Sequence, residues 1–210
     1  MKITPAVIIP HRALTLRLHS NSYDISITAA DAPADHSDGK ERKAFWNQIR
    51  NHHTGLPSRT YQIIGIDANG HIGRDAPMPH IGNYGATKWT SNGTELAVLA
   101  ATLNLTATNT IQSCQNTTWT WQSRDGRART RVDYILIPTR QLHKVKANTG
   151  TVTWKNITRQ GTATDHRPVA LTIRITPHCE TFPPKSKLQG PTRQVNISII
   201  KETWEAWEAD

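Results

Sequence analysis

The sequence has few of the residues that build cross-linked or membrane-embedded folds. Only two of its 210 residues are cysteine, Cys114 and Cys179, too few for a disulfide scaffold or, on their own, a four-ligand zinc site. Their scarcity favours a reducing compartment. No stretch approaches the roughly 18 apolar residues that span a bilayer. These absences predict a soluble protein without a membrane partner.

The first twelve residues also lack the apolar run of a secretory signal, because prolines interrupt them. We therefore expect an intracellular protein, nuclear or cytoplasmic rather than secreted. The length of 210 residues suits one domain with a tail, and 36% hydrophobic with 20% charged residues is a globular balance.

Acidic residues are in deficit. The chain has 16 Asp and Glu against 25 Lys and Arg, which gives a net charge of +9. Such a charge favours polyanionic partners, nucleic acid first and anionic membrane second, although a protein can also be basic without binding either. The densest basic patch contains Arg124, Arg127, Arg129 and Arg131 around the turn dipeptide 125–126. This pattern predicts a hairpin that projects arginines.

Hydrophobic periodicity predicts a mixture of strands and helices. Alternation predicts adjacent antiparallel strands at 14–18 and 25–29. Two helices are predicted, one at 41–52 and one that is opened by a capping box at 92–95. The remaining predicted strands lie at 61–66, 118–122, 132–137 and 169–175. A long irregular loop fills 73–92. We expect the domain to occupy 1–176, followed by a linker and the start of a C-terminal extension at 177–210.

Polar residues that follow the apolar strand 61–66 form the first candidate site. Asp67 and Asn69 share one face of an extended segment, because side chains two residues apart point the same way. Such a pair can orient a water molecule and hold a phosphoryl oxygen. The alternative is an Asx turn that ends the strand.

A second candidate site combines an acid and an imidazole. Asp165 and His166 precede the strand at 169–175, where a carboxylate can ligate a metal while an imidazole handles a proton or a phosphate. The alternative is a turn capped by the aspartate. Asp133 opens another strand, and its burial would require a partner. Asp133 and His166 are therefore a candidate dyad, in which the carboxylate fixes the imidazole tautomer.

Four motifs, in order along the chain, resemble those of one superfamily. They are 64–73 (IGIDANGHIG, against GDFNAHIG), 92–110 (against N-x-N-G…L…NT), 118–136 (TW and RVDYIL, against TW…DYIL) and 165–169 (DHRPV, against SDHxPV). The region from about residue 12 to 176 thus resembles the endonuclease/exonuclease/phosphatase superfamily. It is most similar to endonuclease domains of non-LTR retrotransposons and to retroelement-derived proteins similar to craniofacial development protein 2.

The resemblance implies a four-layer α/β sandwich of the DNase I-like type and metal-dependent cleavage of a phosphodiester, with DNA as the expected partner. It implies that Asp67 orients or deprotonates the attacking water or serves the leaving group, and that Asn69 hydrogen-bonds the scissile phosphate. Asp165 would bind Mg²⁺ (or Mn²⁺) or support its water shell. His166 would contact the phosphate or transfer a proton, braced by Asp133.

The chain also departs from the motifs of this superfamily. No glutamate precedes Glu41, so the metal-ligand glutamate of the family has no counterpart; Asp31 stands where the family has the tyrosine of Y-A-P, and Thr164 replaces a serine. We therefore expect an N-terminal truncation that removes about a third of the domain, exposes a sheet edge and weakens Mg²⁺ binding. The expected activity is weak or absent.

Two other functions are compatible with the sequence. One is a non-catalytic nucleic-acid-binding remnant that uses the arginine hairpin and stacks bases on Trp119 and Trp121. The alternative is that at least one of these two side chains belongs to the core. The other is a phosphatase acting on a small phosphoester or lipid headgroup, against which the basic charge and the retroelement-like motifs argue. No obligate protein partner is predicted.

Overall fold

The structure is a computed structural model that describes residues 1–73, 80–82, 84, 88–111, 119–145, 150–151 and 165–175. The helices and strands, numbered in chain order, are β1 (Lys2–Ile9), β2 (Ala13–His19), β3 (Asp24–Asp31), α1 (Gly39–Thr54), β4 (Tyr61–Asp67), α2 (Ser91–Thr102), β5 (Leu105–Ala107), β6 (Trp121–Gln122), β7 (Arg129–Thr130), β8 (Asp133–Pro138), β9 (Gly150–Thr151) and β10 (Val169–Ala170). Both cysteines, Thr164 and the predicted linker and extension at 177–210 lie outside the described residues.

Six strands form the main sheet in the order β1-β2-β3-β4-β8-β5. Strands β3 and β4 are parallel and are connected through α1, whereas the other neighbouring pairs are antiparallel. The antiparallel pair predicted at 14–18 and 25–29 is confirmed as β2 and β3. Strand β1 was not predicted from the sequence, because Pro5 interrupts its apolar pattern. Proline is tolerated there since β1 is an edge strand.

The main sheet buries apolar side chains on both faces. On one face α1 and α2 pack through fully buried residues such as Trp46, Ile49 and Leu96. On the other face Leu171 packs with Ile137 and other side chains of the sheet. The strand predicted at 169–175 is shorter than expected, since regular pairing is limited to β10, followed by a single bridge at Ile173. Helices, main sheet and the segment 169–175 thus form successive layers of an α/β sandwich.

A chain of buried hydrogen bonds connects β2, β3, α1 and β4. The Thr15 hydroxyl lies 2.6 Å from that of Thr28, which lies 3.0 Å from Nε2 of His53. Nδ1 of His53 lies 3.0 Å from Oε1 of Gln62, whose amide nitrogen donates to the His53 carbonyl at 3.4 Å. These contacts place the proton of the neutral imidazole on Nδ1. The network satisfies polar groups inside the helix–sheet interface.

In the part of the chain that the structure describes, no helix has the length and apolar character needed to cross a membrane.

Candidate functional site

Three aspartates stand side by side at one end of the main sheet. Asp31 ends β3 and is the register partner of Asp67, which ends β4. Asp67 is in turn the register partner of Asp133, which opens β8. Side chains in register on adjacent strands project from the same face. Two strand ends and one strand start therefore place three carboxylates in a row.

His166 completes this row. Its Nδ1 lies 3.1 Å from Oδ2 of Asp133, and its Nε2 lies 3.9 Å from Oδ2 of Asp67. A backbone bridge between Trp121 and His166 fixes the segment that carries the imidazole. The structure thus brings together the two members of the candidate dyad, although 33 residues separate them in sequence.

The electrostatics of the site couple the imidazole to the carboxylates. The hydrogen bond that the imidazole donates to Asp133 raises the pKa of His166 to about 9, against the opposing effect of burial. Burial, together with the charge of Asp133, raises the pKa of Asp67 to about 7. Burial also raises the pKa of Asp31. At neutral pH the imidazole is therefore a cation that can donate a hydrogen bond to an anionic ligand.

Asn69 lies at the edge of the same row in a left-handed conformation, with φ of 45°. Its backbone N–H donates to Oδ1 of Asp67 at 2.8 Å, so the Asx turn suggested by the sequence is formed. Its side-chain nitrogen donates to Oδ1 of Asp31 at 3.2 Å and to the Ala32 carbonyl at 2.8 Å. Both amide protons are thus engaged, and a bond from this group to a phosphate would replace the one to Asp31.

Asn92 ties the loops that follow β3 and β4 to α1. It is fully buried. Its side-chain nitrogen donates to the carbonyls of Pro33 and Asn69, at 2.7 and 3.3 Å, and its oxygen accepts from the Trp46 indole at 3.0 Å. One amide therefore fixes both loops that flank the aspartate row.

This role of Asn92 corrects the capping box predicted at 92–95. The N-cap of α2 is Thr90, whose side chain accepts from the Gly93 N–H. The first turn of α2 lies so close to the loop after β4 that a Cβ on Gly93 would lie 1.8 Å from the His71 carbonyl oxygen. Only glycine fits at that position.

Asp165 lies outside the closest group of potential metal ligands. Ligand atoms of Asp67, Asp133 and His166 lie within 4.8 Å of one another. Asp165 is exposed, and its Oδ2 accepts from the Trp121 indole at 3.2 Å. Asp31 is the residue of this region that sequence reasoning missed as a site residue. Its position is visible in the sequence only once β3 and β4 are known to be parallel neighbours in register.

The predicted arginine hairpin is present as β6 and β7, with Gln122 paired to Arg129 and Gly126 in the turn at φ of 73°. Arg124, Arg127 and Arg129 are exposed. Arg131 corrects the predicted patch. It is only 6% exposed and donates to the Tyr84 carbonyl at 2.6 Å. Arg131 therefore packs inside the molecule and does not project from the hairpin.

Trp119 lies beside the hairpin with arginines on its ring. The guanidinium carbon of Arg167 is 3.5 Å from the ring centroid, and that of Arg129 is 4.9 Å from it. Trp119 and Trp121 are both partly exposed, and neither is a member of the two apolar clusters defined for the described residues. The alternative that at least one of them is a core residue is therefore wrong.

Comparisons with known proteins identify the fold. No family model and no curated protein matches the sequence. Among solved structures, the endonuclease domain of TRAS1, a telomere-specific non-LTR retrotransposon, matches with a TM-score of 0.55 and 15% identity, over 82% of this chain and 69% of that one. The 3'-5' exonuclease NExo from Neisseria meningitidis matches with a TM-score of 0.55 and 12% identity, over 81% and 70%.

The AP endonuclease LMAP from Leishmania major matches with a TM-score of 0.53 and 14% identity, over 78% of this chain and 55% of that one. The chain thus has a DNase I-like α/β fold. This is the fold of the endonuclease/exonuclease/phosphatase superfamily, to which these structures belong, so the resemblance seen in the motifs is confirmed at the level of the fold. The chain spans between 55% and 70% of the lengths of these three structures.

Proposed function

We propose that this chain is a phosphodiester hydrolase that depends on Mg²⁺ or Mn²⁺ and nicks DNA. The observation that carries the proposal is the arrangement of His166 between two carboxylates, 3.1 Å from Asp133 and 3.9 Å from Asp67. The arrangement combines a cationic donor for a phosphate with a carboxylate that can orient water. The nuclease neighbours in structure support the same chemistry.

The site residues then act on the phosphate and on the attacking water. The His166 imidazolium, held by Asp133, donates a hydrogen bond to a non-bridging phosphate oxygen. Asp67 orients the attacking water and accepts its proton. Asn69 exchanges its bond to Asp31 for one to the phosphate. These tasks position the nucleophile and stabilise the charge of the transition state.

The donor set at this sheet end fits a hard divalent cation. Mg²⁺ prefers carboxylate oxygens and water, commonly with one or two carboxylates from the protein. Burial of Asp67 beside Asp133 makes its ionised form costly, a cost that a cation would offset. Asp67 would hold the ion, and Asp165 would support its water shell. The cation would supply neutralisation of the charge that develops on the phosphate.

A second candidate function is binding of nucleic acid without cleavage. The three exposed hairpin arginines, Arg124, Arg127 and Arg129, favour it, because exposed cations attract the phosphate backbone regardless of catalysis. The sequence also lacks a counterpart of the family's metal-ligand glutamate. In this alternative DNA is bound and never cut.

Plasmid nicking tests the proposal. We expect the chain to convert supercoiled DNA to open circles slowly in Mg²⁺ or Mn²⁺ and not in EDTA. Asp67→Ala and His166→Ala should each abolish the conversion, because each removes a group that contacts the reacting phosphate or water. Circular dichroism of each variant checks that it is folded.

The matched control is His143→Ala, which removes an exposed histidine from the short 3-10 helix at Thr139–Lys144. It is purified in parallel and should nick as the parent does. Nicking that survives in His166→Ala would overturn the mechanism. DNA binding with no nicking in any metal would establish the second candidate instead.

A further inference from the structure

Arg167, Trp119 and Arg129 form a stack beside the candidate site. Both guanidinium groups lie against the indole of Trp119, at 3.5 Å and 4.9 Å from its ring centroid. Planar guanidinium groups stack well on indole rings, which hold them in a fixed orientation. A ring against which two guanidinium groups already lie has less free surface for a nucleic-acid base.

This stack is attached to the strand segment that carries His166. Arg167 follows His166 directly, and its backbone N–H donates to the Thr120 carbonyl at 2.6 Å. The Gln122 N–H donates to the Asp165 carbonyl at 2.9 Å on the other side of the Trp121–His166 bridge. The hairpin and the imidazole therefore belong to one hydrogen-bonded unit, so a group bound at the stack has a fixed relation to His166.

The charge of the stack is not balanced inside the described part of the chain. The described residues form no ion pair between a carboxylate and either Arg129 or Arg167, and Nε of Arg129 donates to the neutral Oε1 of Gln122 at 3.1 Å. Burial and the neighbouring charge of Arg129 lower the pKa of Arg167. Two like charges held against one ring repel each other, and a bound anion would relieve the repulsion.

We propose that Arg167 and Arg129, supported by the Trp119 ring, bind a backbone phosphate of the nucleic acid next to the phosphate that His166 contacts. This inference rests on the proposed function for the position of the reacting phosphate. It assigns Trp119 to the support of two arginines, in place of the base stacking expected from the sequence. Arg167 is a nucleic-acid contact that the sequence did not suggest, because it depends on the approach of 165–167 to the hairpin.

The phosphate site formed by Arg167, Arg129 and Trp119 is called the clamp. Equilibrium binding tests it separately from cleavage. Affinity for single-stranded DNA is measured in EDTA over a range of salt, so that no catalysis takes place. Arg167→Gln should weaken binding about tenfold, as expected for loss of one charge-assisted contact. The slope of log K against log salt should fall in magnitude by about 0.7, the value for one phosphate contact on a single strand. Arg167→Lys keeps the charge and should keep the slope.

The matched control is Lys2→Gln. It removes one positive charge from the edge strand β1. Lys2 is in register with His19, which is in register with Asp24, so it lies at the end of the sheet opposite to Asp31. Its affinity and salt slope should stay close to those of the parent. A loss in Lys2→Gln equal to that in Arg167→Gln would mean that only net charge matters, and the clamp would be rejected.

An abasic oligomer of the same length separates phosphate binding from base stacking. With a phosphate clamp, the parent should bind the intact and abasic strands equally, and Trp119→Leu should weaken both by the same factor. The opposite result is weaker binding of the abasic strand, together with an effect of Trp119→Leu on the intact strand alone. It would mean that the Trp119 ring stacks on a base, and it would overturn the proposal. Nicking by the parent in Mg²⁺ alongside unchanged binding by Arg167→Gln would reject the clamp and leave the proposed function standing.

Discussion

His53 is a buried imidazole whose neutral form the fold requires. It is 1% exposed and lies between the Thr28 hydroxyl and the Gln62 amide. Burial, assisted by the neighbouring His52, lowers its pKa to about 4. In the unfolded chain the imidazole has its ordinary pKa of 6.5. Between these two values the unfolded chain binds more protons than the folded one does.

We predict that stability falls as the pH is lowered from 6.5 to 4. The sign follows from linkage, because the state that binds more protons gains as protons become abundant. A fall of this pKa from 6.5 to about 4 corresponds to roughly 3 kcal/mol at most. Urea denaturation at a series of pH values measures the effect. His53→Gln removes the titration, and its stability should vary less over this range. An unchanged pH dependence in that variant would exclude His53 as its source.

Among the elements, the β6–β7 hairpin is joined to β8 by Thr120. This residue is fully buried, and its hydroxyl accepts from the backbone N–H groups of Val132 and Asp133 at 3.0 and 3.1 Å. Its own N–H donates to the Thr130 carbonyl at 2.8 Å. The hydroxyl therefore fixes the backbone from which the Asp133 carboxylate projects.

Thr120→Val should destabilise the chain by about 1 to 3 kcal/mol and reduce any nicking activity. Valine has nearly the same shape, but it leaves two N–H groups without their acceptor, and a buried unsatisfied donor costs about this much. Thr120→Ser keeps the hydroxyl and should retain most of both properties. Chemical denaturation and the plasmid assay provide the readouts. Equal stability of the valine and serine variants would contradict the role of the hydroxyl.

Elements with a clear local pattern are the ones that sequence reasoning predicted. Strands β2, β3 and β4 alternate or are apolar, and α1 buries Phe45, Trp46 and Ile49 on one side, so hydrophobic periodicity was sufficient. The chemistry of a carboxylate and an imidazole suggested that Asp133 pairs with His166, but the distance between them is known only from the structure. Asp31, Arg131 and Arg167 required non-local information: strand order for the first, and contacts with Tyr84 and with Trp119 for the other two. Such contacts leave no local signal.

On the scale of the whole molecule, β1 forms an open edge of the main sheet. Within the described residues it pairs with β2 alone, and Ile3 and Val7 on it are 56% and 52% exposed. Unpaired backbone groups beside exposed apolar side chains are a template for pairing with another chain. The sequence led us to expect an exposed edge, and the structure contains one at β1.

We therefore predict that the chain self-associates as its concentration rises, and that Val7→Lys reduces the association, because a charge at an edge opposes strand pairing. Sedimentation equilibrium should show the average mass of Val7→Lys close to the 23.5 kDa of one chain. Val98→Lys is the control, since Val98 is exposed on α2, away from any strand edge. An equal effect of both substitutions would indicate general charge repulsion and not pairing at β1.

The shared register of Asp31, Asp67 and Asp133 also limits which changes of length the chain can accept. Successive residues of a strand alternate between the two faces of the sheet, so a slip of one position moves every later side chain to the other face. A single-residue deletion inside β3 or β4 would therefore separate the three carboxylates while leaving each of them in the sequence. The connections between elements, such as residues 55–60 between α1 and β4, can change length without disturbing this site. The strands cannot.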